Sequence, residues 1–364
     1  MGYVAVKGGK EAIENSNRAL DLKSLDSDCC SLSLDQIKSQ LHFLVDKVMS
    51  EGSLYDPDLA ALAIKQSAGD VFEAAFMVRA YRATLPRIAS SVAESTKEMR
   101  VVRRISSAFK EIPGGQILGP SADYSLRLLD FSLCWQTAEE RKQLLKHFLS
   151  EAGLKEDVPE TFPKVIDLLR SEGLIVSEGA LGGREQAMDD VTRESIQFPA
   201  SRSAALQTMA RGESGGMLVL AYSNMRGYGS AHPTIGELRV GYVPVKVKNP
   251  FTSEITVVGE VPVTEAEIIS GISNAEGEPK FEVGYGLCFG HNETKAISMA
   301  TLDVAMRAEK PKYPSEDQEF VLTHIDGIEA MGFANHFKLP HYVTFQSELD
   351  RLRKSKSNSK KNEL

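Results

Sequence analysis

The chain has 364 residues, of which 42% are hydrophobic and 25% charged, a composition typical of a globular protein with a substantial core. Its formal net charge of −8 at pH 7 argues against a general nucleic-acid coat, which needs a basic field. No apolar run approaches the roughly 18 residues of a membrane-spanning helix, and no signal-peptide core precedes Gly8 and Gly9, so the sequence predicts a cytoplasmic protein of two or three domains.

The first residues form a glycine turn between a predicted strand and a predicted helix. Residues 3–6 have a short strand pattern and lead into Lys7, Gly8, Gly9 and Lys10. Backbone N–H groups and a helix N-terminus at such a turn suit a phosphate group. The segment lacks the second glycine and the Lys-Ser/Thr pair of a Walker A motif, so a plain tight turn is the alternative.

The N-terminal half is predicted to be mainly helical. Helix-start signals occur at a capping box of Ser33 and Gln36, at Asp56 followed by Pro57, at Asp70 with Glu73, and at Thr137 with Glu140. A further helix is predicted over residues 163–173. Between these helices, Arg103, Arg104 and Lys110 flank the glycine loop of residues 112–120, which an anion could approach. The alternative for this stretch is a solvated helix face followed by a turn.

The C-terminal half mixes predicted strands with predicted helices. Strand patterns cover residues 217–223, 237–247, 255–261, 281–289 and 319–324, and helix patterns cover residues 264–270 and 293–308. We therefore predict an α+β fold, with a helical N-terminal half followed by a mixed β-sheet and helix C-terminal half. The predicted division is a helical domain over 1–176, a linker over 177–199, an α+β domain over 200–350 and a disordered basic tail over 351–364.

The densest polar motif lies in residues 222–233. Arg226, Tyr228 and His232 surround two glycines there, and Glu237 and Arg239 follow at short range. Such a set supplies an anion clamp, a stacking ring and an acid–base pair, which are the parts of a site for a polar ligand. Glycine loops with aromatic residues are also common as plain turns, and this alternative stays open.

A second glycine-rich stretch, residues 284–290, leads into a predicted helix with Asn292 at its cap and Lys295 in its first turn. A strand that delivers a helix N-terminus in this way suits an anion, and plain strand-to-helix packing is the alternative. The sequence contains no G-x-S-x-G, H-E-x-x-H or strand-borne G-x-G-x-x-G motif.

Two histidines near the C-terminus, His336 and His341, are five residues apart. On a helix this spacing leaves their side chains about 140° apart, and on a strand it sends them to opposite faces. They can share a ligand only from an irregular loop, which Pro340 between them favours. Imidazole is a common zinc ligand, but this spacing is no standard metal motif, and two unrelated polar residues are the alternative.

Taken together, these segments resemble the I subunit (PhnI) of the bacterial carbon–phosphorus lyase system. The resemblance runs in the same order from residue 3 to about 350, and it is weakest over 135–198. The segments that carry it are residues 3–9, 112–116, 226–229 with His232 and Pro233, 284–287 and 338–342.

The resemblance implies a role in phosphonate catabolism. The family's I subunit, helped by the G, H and L subunits, replaces the adenine of ATP with methylphosphonate, and alone it is a purine-nucleoside-triphosphate hydrolase that releases the base. The resemblance also implies a core assembly with the G, H and J subunits. In that core, a histidine pair matching His336 and His341 holds a zinc ion at the contact with the J subunit.

Residue chemistry, rather than the resemblance, suggests roles in this reaction. Lys7, Lys110, Arg226 and Arg239 are candidates to bind the triphosphate, with Mg²⁺ as a candidate companion of ATP. Glu237 or His232 could protonate the leaving base, and Tyr228 could stack on the purine. The competing hypotheses are a non-catalytic scaffold and a subunit that binds a nucleotide without consuming it.

Overall fold

The computed structural model describes residues 9–26, 30–151, 161–176, 189–228, 233–273 and 277–362. Its N-terminal half contains α1 (Lys10–Leu25), α2 (Leu34–Gln40), α3 (His42–Gly52), α4 (Pro57–Gln66), α5 (Val71–Thr84), β1 (Arg100–Ile105), α6 (Ala138–Glu151) and α7 (Val165–Ser171). The predicted helix starts are confirmed, because Ser33, Asp56, Asp70 and Thr137 all accept hydrogen bonds from N–H groups of the first turn. Helices α2 to α5 enclose an apolar core of their own.

The C-terminal half contains α8 (Arg202–Arg211), α9 (Ser214–Tyr222), a π-helical turn (Ser223–Tyr228), β2 (Thr234–Lys248), β3 (Ile255–Ser273), β4 (Lys280–Phe289), α10 (Glu293–Ala305), α11 (Gln318–His324), α12 (Gly327–His336) and α13 (Tyr342–Asn362). The strands form one antiparallel sheet in the order β1-β2-β3-β4. The predicted α+β class is confirmed. The N-terminal half nevertheless contributes an edge strand, since β1 pairs with β2.

One face of the sheet packs on α10, and two glycines of β4 allow this close approach. A side chain at Gly284 or Gly286 would collide with the carbonyl oxygens of Ala300 and Ala296 on α10. Around this contact lies the largest apolar core, to which α8, α9 and α11 also contribute. Helix α10 is therefore fixed against the sheet along its whole length. Among the described residues, no helix combines the length and apolar character needed to cross a membrane.

Three predicted elements have the wrong type. Residues 217–223 and 319–324, predicted as strands, lie in α9 and α11, because short apolar runs carry no periodicity that separates a strand from a buried helix. Residues 264–270, predicted as a helix, lie inside β3. Side chains alternate along the strand, so Ala266 and Ile268 face the apolar core. Glu265 and Glu267 point to the opposite face, where Lys164 pairs with both.

Two other segments differ from the sequence expectation. The stretch around Arg103 and Arg104, with a helix face as one alternative, is strand β1. The predicted disordered tail is helical in α13 as far as Asn362, and residues 351–358 of it are exposed. Of the predicted linker, 177–188 lie outside the described residues. The remaining part contacts helix α8, since Gln207 and Arg211 donate to the carbonyl oxygens of Asp189 and Val191.

Candidate functional site

The sheet face opposite α10 carries a buried layer of charged side chains. Three cations and three anions contribute to it: Arg104, Lys164 and Arg239, with Glu237, Glu265 and Glu267. They come from three strands and from the segment just before α7, which covers this face together with the loop of residues 112–117. Burying six ionisable groups is costly unless each one is paired, so their contacts decide what they can do.

Glu237, predicted as a general acid, lies in this layer with 1% of its surface exposed. One carboxylate oxygen accepts from Arg104 Nε at 2.5 Å, and the other accepts from the Val165 N–H at 3.1 Å. The remaining N–H groups of Arg104 donate to the carbonyl oxygens of Pro113, Gly115 and Pro163. The Arg104–Glu237 pair therefore ties the glycine loop and the α7 segment to the sheet.

Arg239, predicted to bind the triphosphate, is buried in the same layer. Its guanidinium donates to Glu265, with Nε at 2.9 Å from the carboxylate, and to the carbonyl oxygen of Thr96 at 3.1 Å. Its Nη1 has no hydrogen-bond partner among the described residues. Since both Arg239 and Glu265 are buried, this cation faces the interior of the sheet layer rather than an open surface.

Two neighbouring glutamates of β3 share the remaining cation of the layer, Lys164, whose Nζ lies 2.8 Å from Glu265 and 3.1 Å from Glu267. For Glu265, burial favours the neutral acid, but Arg239 and Lys164 outweigh it and lower the pKa to about 2. For Glu267, burial and the adjacent Glu265 raise the pKa to about 7. The layer therefore holds one carboxyl group that titrates near neutral pH.

The motif of residues 222–233 lines a cavity of about 280 Å³ at the C-terminal end of α10, called the base-side cavity below. Arg226 is exposed, and its guanidinium carbon lies 6.0 Å from the centre of the Tyr222 ring. His232 and the side chain of Tyr228 lie outside the described residues. The cavity is lined by Asn224, Pro233, Ile268, Ser270, Gly271, Ile272, Glu282, Thr301, Val304, Ala305, Arg307, Ala308 and Glu316.

A second cavity, of about 320 Å³, lies at the N-terminal end of α10. Here the two glycine stretches of the sequence meet, because Pro120 from the first and His291 after the second both line it. Lys47 and Lys295 are its ammonium groups. Lys295 is fully buried, donates to Ser50 Oγ and the Ala210 carbonyl oxygen at 2.7 Å each, and has its pKa lowered by burial.

Lys110, a predicted anion ligand, lines neither cavity. Lys7 lies outside the described residues. Lys110 is exposed on the loop after β1, where Gln116 donates from its amide to the carbonyl oxygens of Phe109 and Lys110. The structure thus keeps Lys110 on the surface and separates it from Arg226 and Arg239.

His336 is the last residue of α12 and His341 directly precedes α13, and their ring centres are 5.3 Å apart. His336 Nδ1 bonds to the Phe333 carbonyl oxygen, and His341 Nδ1 bonds to the Leu339 carbonyl oxygen at 2.6 Å. A carbonyl oxygen can only accept a hydrogen bond, so in each neutral ring the proton is on Nδ1. The Nε2 atom of each ring then keeps a lone pair that can bind a metal.

This arrangement fits half of a zinc site. Two imidazoles bound through Nε2 at about 2.1 Å, in tetrahedral geometry, have ring centres about 5 Å apart. In the stretches that the structure covers, no group of three or more His, Cys, Asp or Glu side chains is placed to hold a metal ion. His336 and His341 therefore need ligands from elsewhere to complete a site.

Sequence reasoning missed several residues of these sites. Glu265 and Glu267 were assigned to a helix, although their alternation with apolar residues is the strand signal that could have placed them. Lys164 carries no sequence signal, because its role depends on the packing of α7 over the sheet. Asn224 and Glu282 come together only through the fold, from positions 58 residues apart (282 − 224).

Comparisons with known proteins place the chain in a family. Residues 2–359 match the family of bacterial phosphonate metabolism protein (PhnI). The chain is 52% identical over 360 residues to "Putative C-P lyase subunit protein HtxH" of Stutzerimonas stutzeri, covering 97% of this chain and 95% of the relative. It is 44% identical over 358 residues to the alpha-D-ribose 1-methylphosphonate 5-triphosphate synthase subunit PhnI of Rhizobium meliloti, covering 97% and 94%. The subunit of the same name from Escherichia coli is 45% identical over 360 residues, covering 97% and 98%. The chain belongs to the PhnI family of bacterial phosphonate metabolism.

Proposed function

We propose that this chain is the I subunit of a carbon–phosphorus lyase system. In α-D-ribose 1-methylphosphonate 5-triphosphate synthase it would transfer the ribose 5-triphosphate of ATP to methylphosphonate and displace adenine. The observation that carries the proposal is the near full-length identity, 44–45%, to two subunits of that name. Without partner subunits, the same site would pass the ribosyl group to water and act as a purine nucleoside triphosphate nucleosidase.

The proposed reaction breaks the bond between C1′ and the base nitrogen and forms a bond between C1′ and a phosphonate oxygen. Positive charge builds up at C1′ in the transition state, as in glycoside hydrolysis. The base leaves with a proton, and the triphosphate needs cations that hold it in place. The site must therefore combine a proton donor near the base with accessible cations.

The described residues support some of the predicted roles better than others. Arg226 is exposed two residues after Asn224, which lines the base-side cavity, and no carboxylate among the described residues pairs with it, so it is suited to bind phosphate. Arg239 already neutralises Glu265. Glu237 is buried and both of its carboxylate oxygens accept hydrogen bonds from Arg104 and Val165, which favours His232 over Glu237 as the proton donor. Lys7, Lys110 and Tyr228 remain proposals from residue chemistry.

We propose that His336 and His341 bind zinc together with a ligand from the J subunit. The support is the 5.3 Å ring separation and the Nδ1 contacts that leave both Nε2 atoms free. Zinc bound there would act as a Lewis acid or as a structural link between subunits. The pair is on the α12–α13 turn, apart from the cavities at the two ends of α10, so we assign it to the assembled complex rather than to base displacement.

We propose the G, H, J and L subunits as partners, and one exposed segment supports docking of other subunits. From residue 124 to 149 the chain presents large apolar side chains to solvent: Tyr124, Leu126, Leu128, Leu129, Phe131, Leu133, Trp135, Leu144, Leu145, Phe148 and Leu149. Helix α6 within it has no buried residue. An apolar surface of this extent on a folded chain marks a protein interface.

The proposal is tested by following both halves of the reaction. The isolated chain is incubated with ATP and free adenine is measured; then G, H and L subunits and methylphosphonate are added. We expect adenine release in the first case, and in the second a product with one C1′–O–P bond for each adenine released. A complete mixture that releases no adenine would refute the transferase function and leave the scaffold alternative.

A further inference from the structure

Two backbone irregularities and the end of α10 meet at the base-side cavity. The π-helical turn Ser223–Tyr228 contributes Asn224. The pairing of β3 with β4 shifts register between Ile269 and Ile272, and the two residues within this bulge, Ser270 and Gly271, line the cavity. The end of α10 provides the third side. π-Helical turns are rare and often lie at functional sites, and β-bulges are over-represented next to active sites, so their meeting at one cavity supports a binding site there.

The walls of the cavity combine apolar and polar side chains. Ile268 of β3 and Val304 and Ala305 of α10 line it, beside Ser270 of β3, Thr301 of α10 and Glu282 of β4. Such a lining suits a ring that carries polar groups on its edge. Its volume of about 280 Å³ is near the lower limit for a small-molecule pocket. It can therefore enclose one ring system but not a whole nucleoside triphosphate, whose charged part would remain outside.

The polar groups of the cavity favour a ligand that donates hydrogen bonds. Glu282 is half-buried, and no hydrogen bond or ion pair engages its carboxylate among the described residues. Asn224 has only a long 3.5 Å contact from Nδ2 to Ser315 Oγ, so its amide oxygen and one N–H are available. The cation in the lining, Arg307, pairs with Asp303.

The charges around the cavity also favour a ligand that donates hydrogen bonds. The carbonyl end of α10 carries partial negative charge, which adds to the charge of Glu282 and of Glu316 in the same lining. A phosphate group is disfavoured by this field. An amino group on an aromatic ring is favoured, and so is a base that gains a proton as it leaves.

We propose that the base-side cavity binds the aminopurine base of the nucleotide, with Glu282 accepting from its amino group and Asn224 pairing along the adjacent ring edge. This proposal rests on the proposed function, because it assigns the place of the displaced base. It also separates the ends of the substrate: the base lies in the cavity, and the phosphates extend toward the surface on which Arg226 is exposed.

The test uses Asn224→Ala and Glu282→Ala in the complete complex, with Glu254→Ala, an exposed site in the β2–β3 turn, as the matched control. The rate of base release is compared for ATP and for the triphosphate of purine riboside, which lacks the amino group. Loss of a hydrogen bond to the amino group, worth about 1 kcal/mol, predicts that the preference for ATP falls about fivefold in the Glu282 variant. The Asn224 variant loses a contact to the ring edge that both substrates share, so we expect it to slow base release from both alike. The control keeps the wild-type preference.

Binding measurements separate this proposal from the proposed function. Equilibrium titration with ATP and with tripolyphosphate gives an affinity that does not depend on turnover. We expect both variants to weaken ATP binding while tripolyphosphate binding stays unchanged, which also shows that they are folded. If wild-type protein binds ATP but releases no base, the proposed function fails. The assignment of the cavity is then tested only by the ATP affinity of the two variants. An unchanged preference in the Glu282 variant and unchanged ATP affinity in both variants would overturn the cavity assignment.

Discussion

Replacing Glu237 with glutamine tests whether this residue positions the fold or transfers a proton. The carboxylate and its partner Arg104 are both fully buried, and glutamine removes the charge while keeping the shape. Breaking a buried pair by removing one charge costs about 3–5 kcal/mol, since the other charge stays buried without compensation. Glutamine has a single acceptor oxygen, so it can accept from Arg104 or from the Val165 N–H but not from both. We therefore expect a loss of at least about 3 kcal/mol.

The measurement is the free energy of unfolding from urea denaturation, together with adenine release per mole of folded protein. We expect a loss of at least about 3 kcal/mol in stability and less than a tenfold loss in the rate per folded molecule. Asp58→Asn, which removes a surface pair with Lys38, is the matched control and should change stability by less than about 1 kcal/mol. A stable variant with a rate reduced a hundredfold would refute the positioning role and restore Glu237 as the general acid.

Three further predictions follow from the described contacts. His336→Ala combined with His341→Ala should remove zinc from the assembled complex while the isolated chain keeps its adenine release; equal zinc content in wild type and variant, by elemental analysis, would contradict the site. Glu267 has a folded-state pKa raised to about 7, so the folded state holds its proton more tightly than the unfolded state, and stability falls as pH rises from about 4.5 to 7. Glu267→Gln should therefore flatten this part of the stability profile, and a denaturation series with the same slope as wild type would exclude the assignment. Leu128→Ser with Trp135→Ser should leave the melting temperature of the isolated chain unchanged, because both side chains are exposed, but should weaken assembly in size-exclusion chromatography; an intact complex would exclude this segment as the docking surface.

Local sequence signals predicted much of the fold. Caps such as Asp56 and Asp70 act within one helical turn, so they can be read without knowledge of the tertiary structure. Strand β1 was not predicted, since Arg103 and Arg104 look like solvated residues. They are buried because Glu293 and Asp123 pair with the first and Glu237 with the second. Such long-range pairing leaves no local pattern.

The candidate sites, too, could be predicted only where a local sequence pattern exists. The spacing of His336 and His341, with Pro340 between them, predicted a break in regular structure at this point. The two rings lie close together across this break, as a shared ligand requires. The base-side cavity could not be predicted, because it depends on a π-helical turn, a β-bulge and the end of α10 coming together. Asn224 belongs to a motif that the sequence singled out, whereas Glu282 gains a role only through this packing.

The most direct test of the proposed function is the stoichiometry of the complete synthase mixture. ATP and methylphosphonate are incubated with this chain and the G, H and L subunits, and adenine is quantified beside phosphorus NMR of the product. The proposal predicts one molecule of adenine released for each methylphosphonate esterified to C1′, with the triphosphate intact. Release of phosphate or pyrophosphate in place of adenine, or consumption of neither substrate, would contradict it.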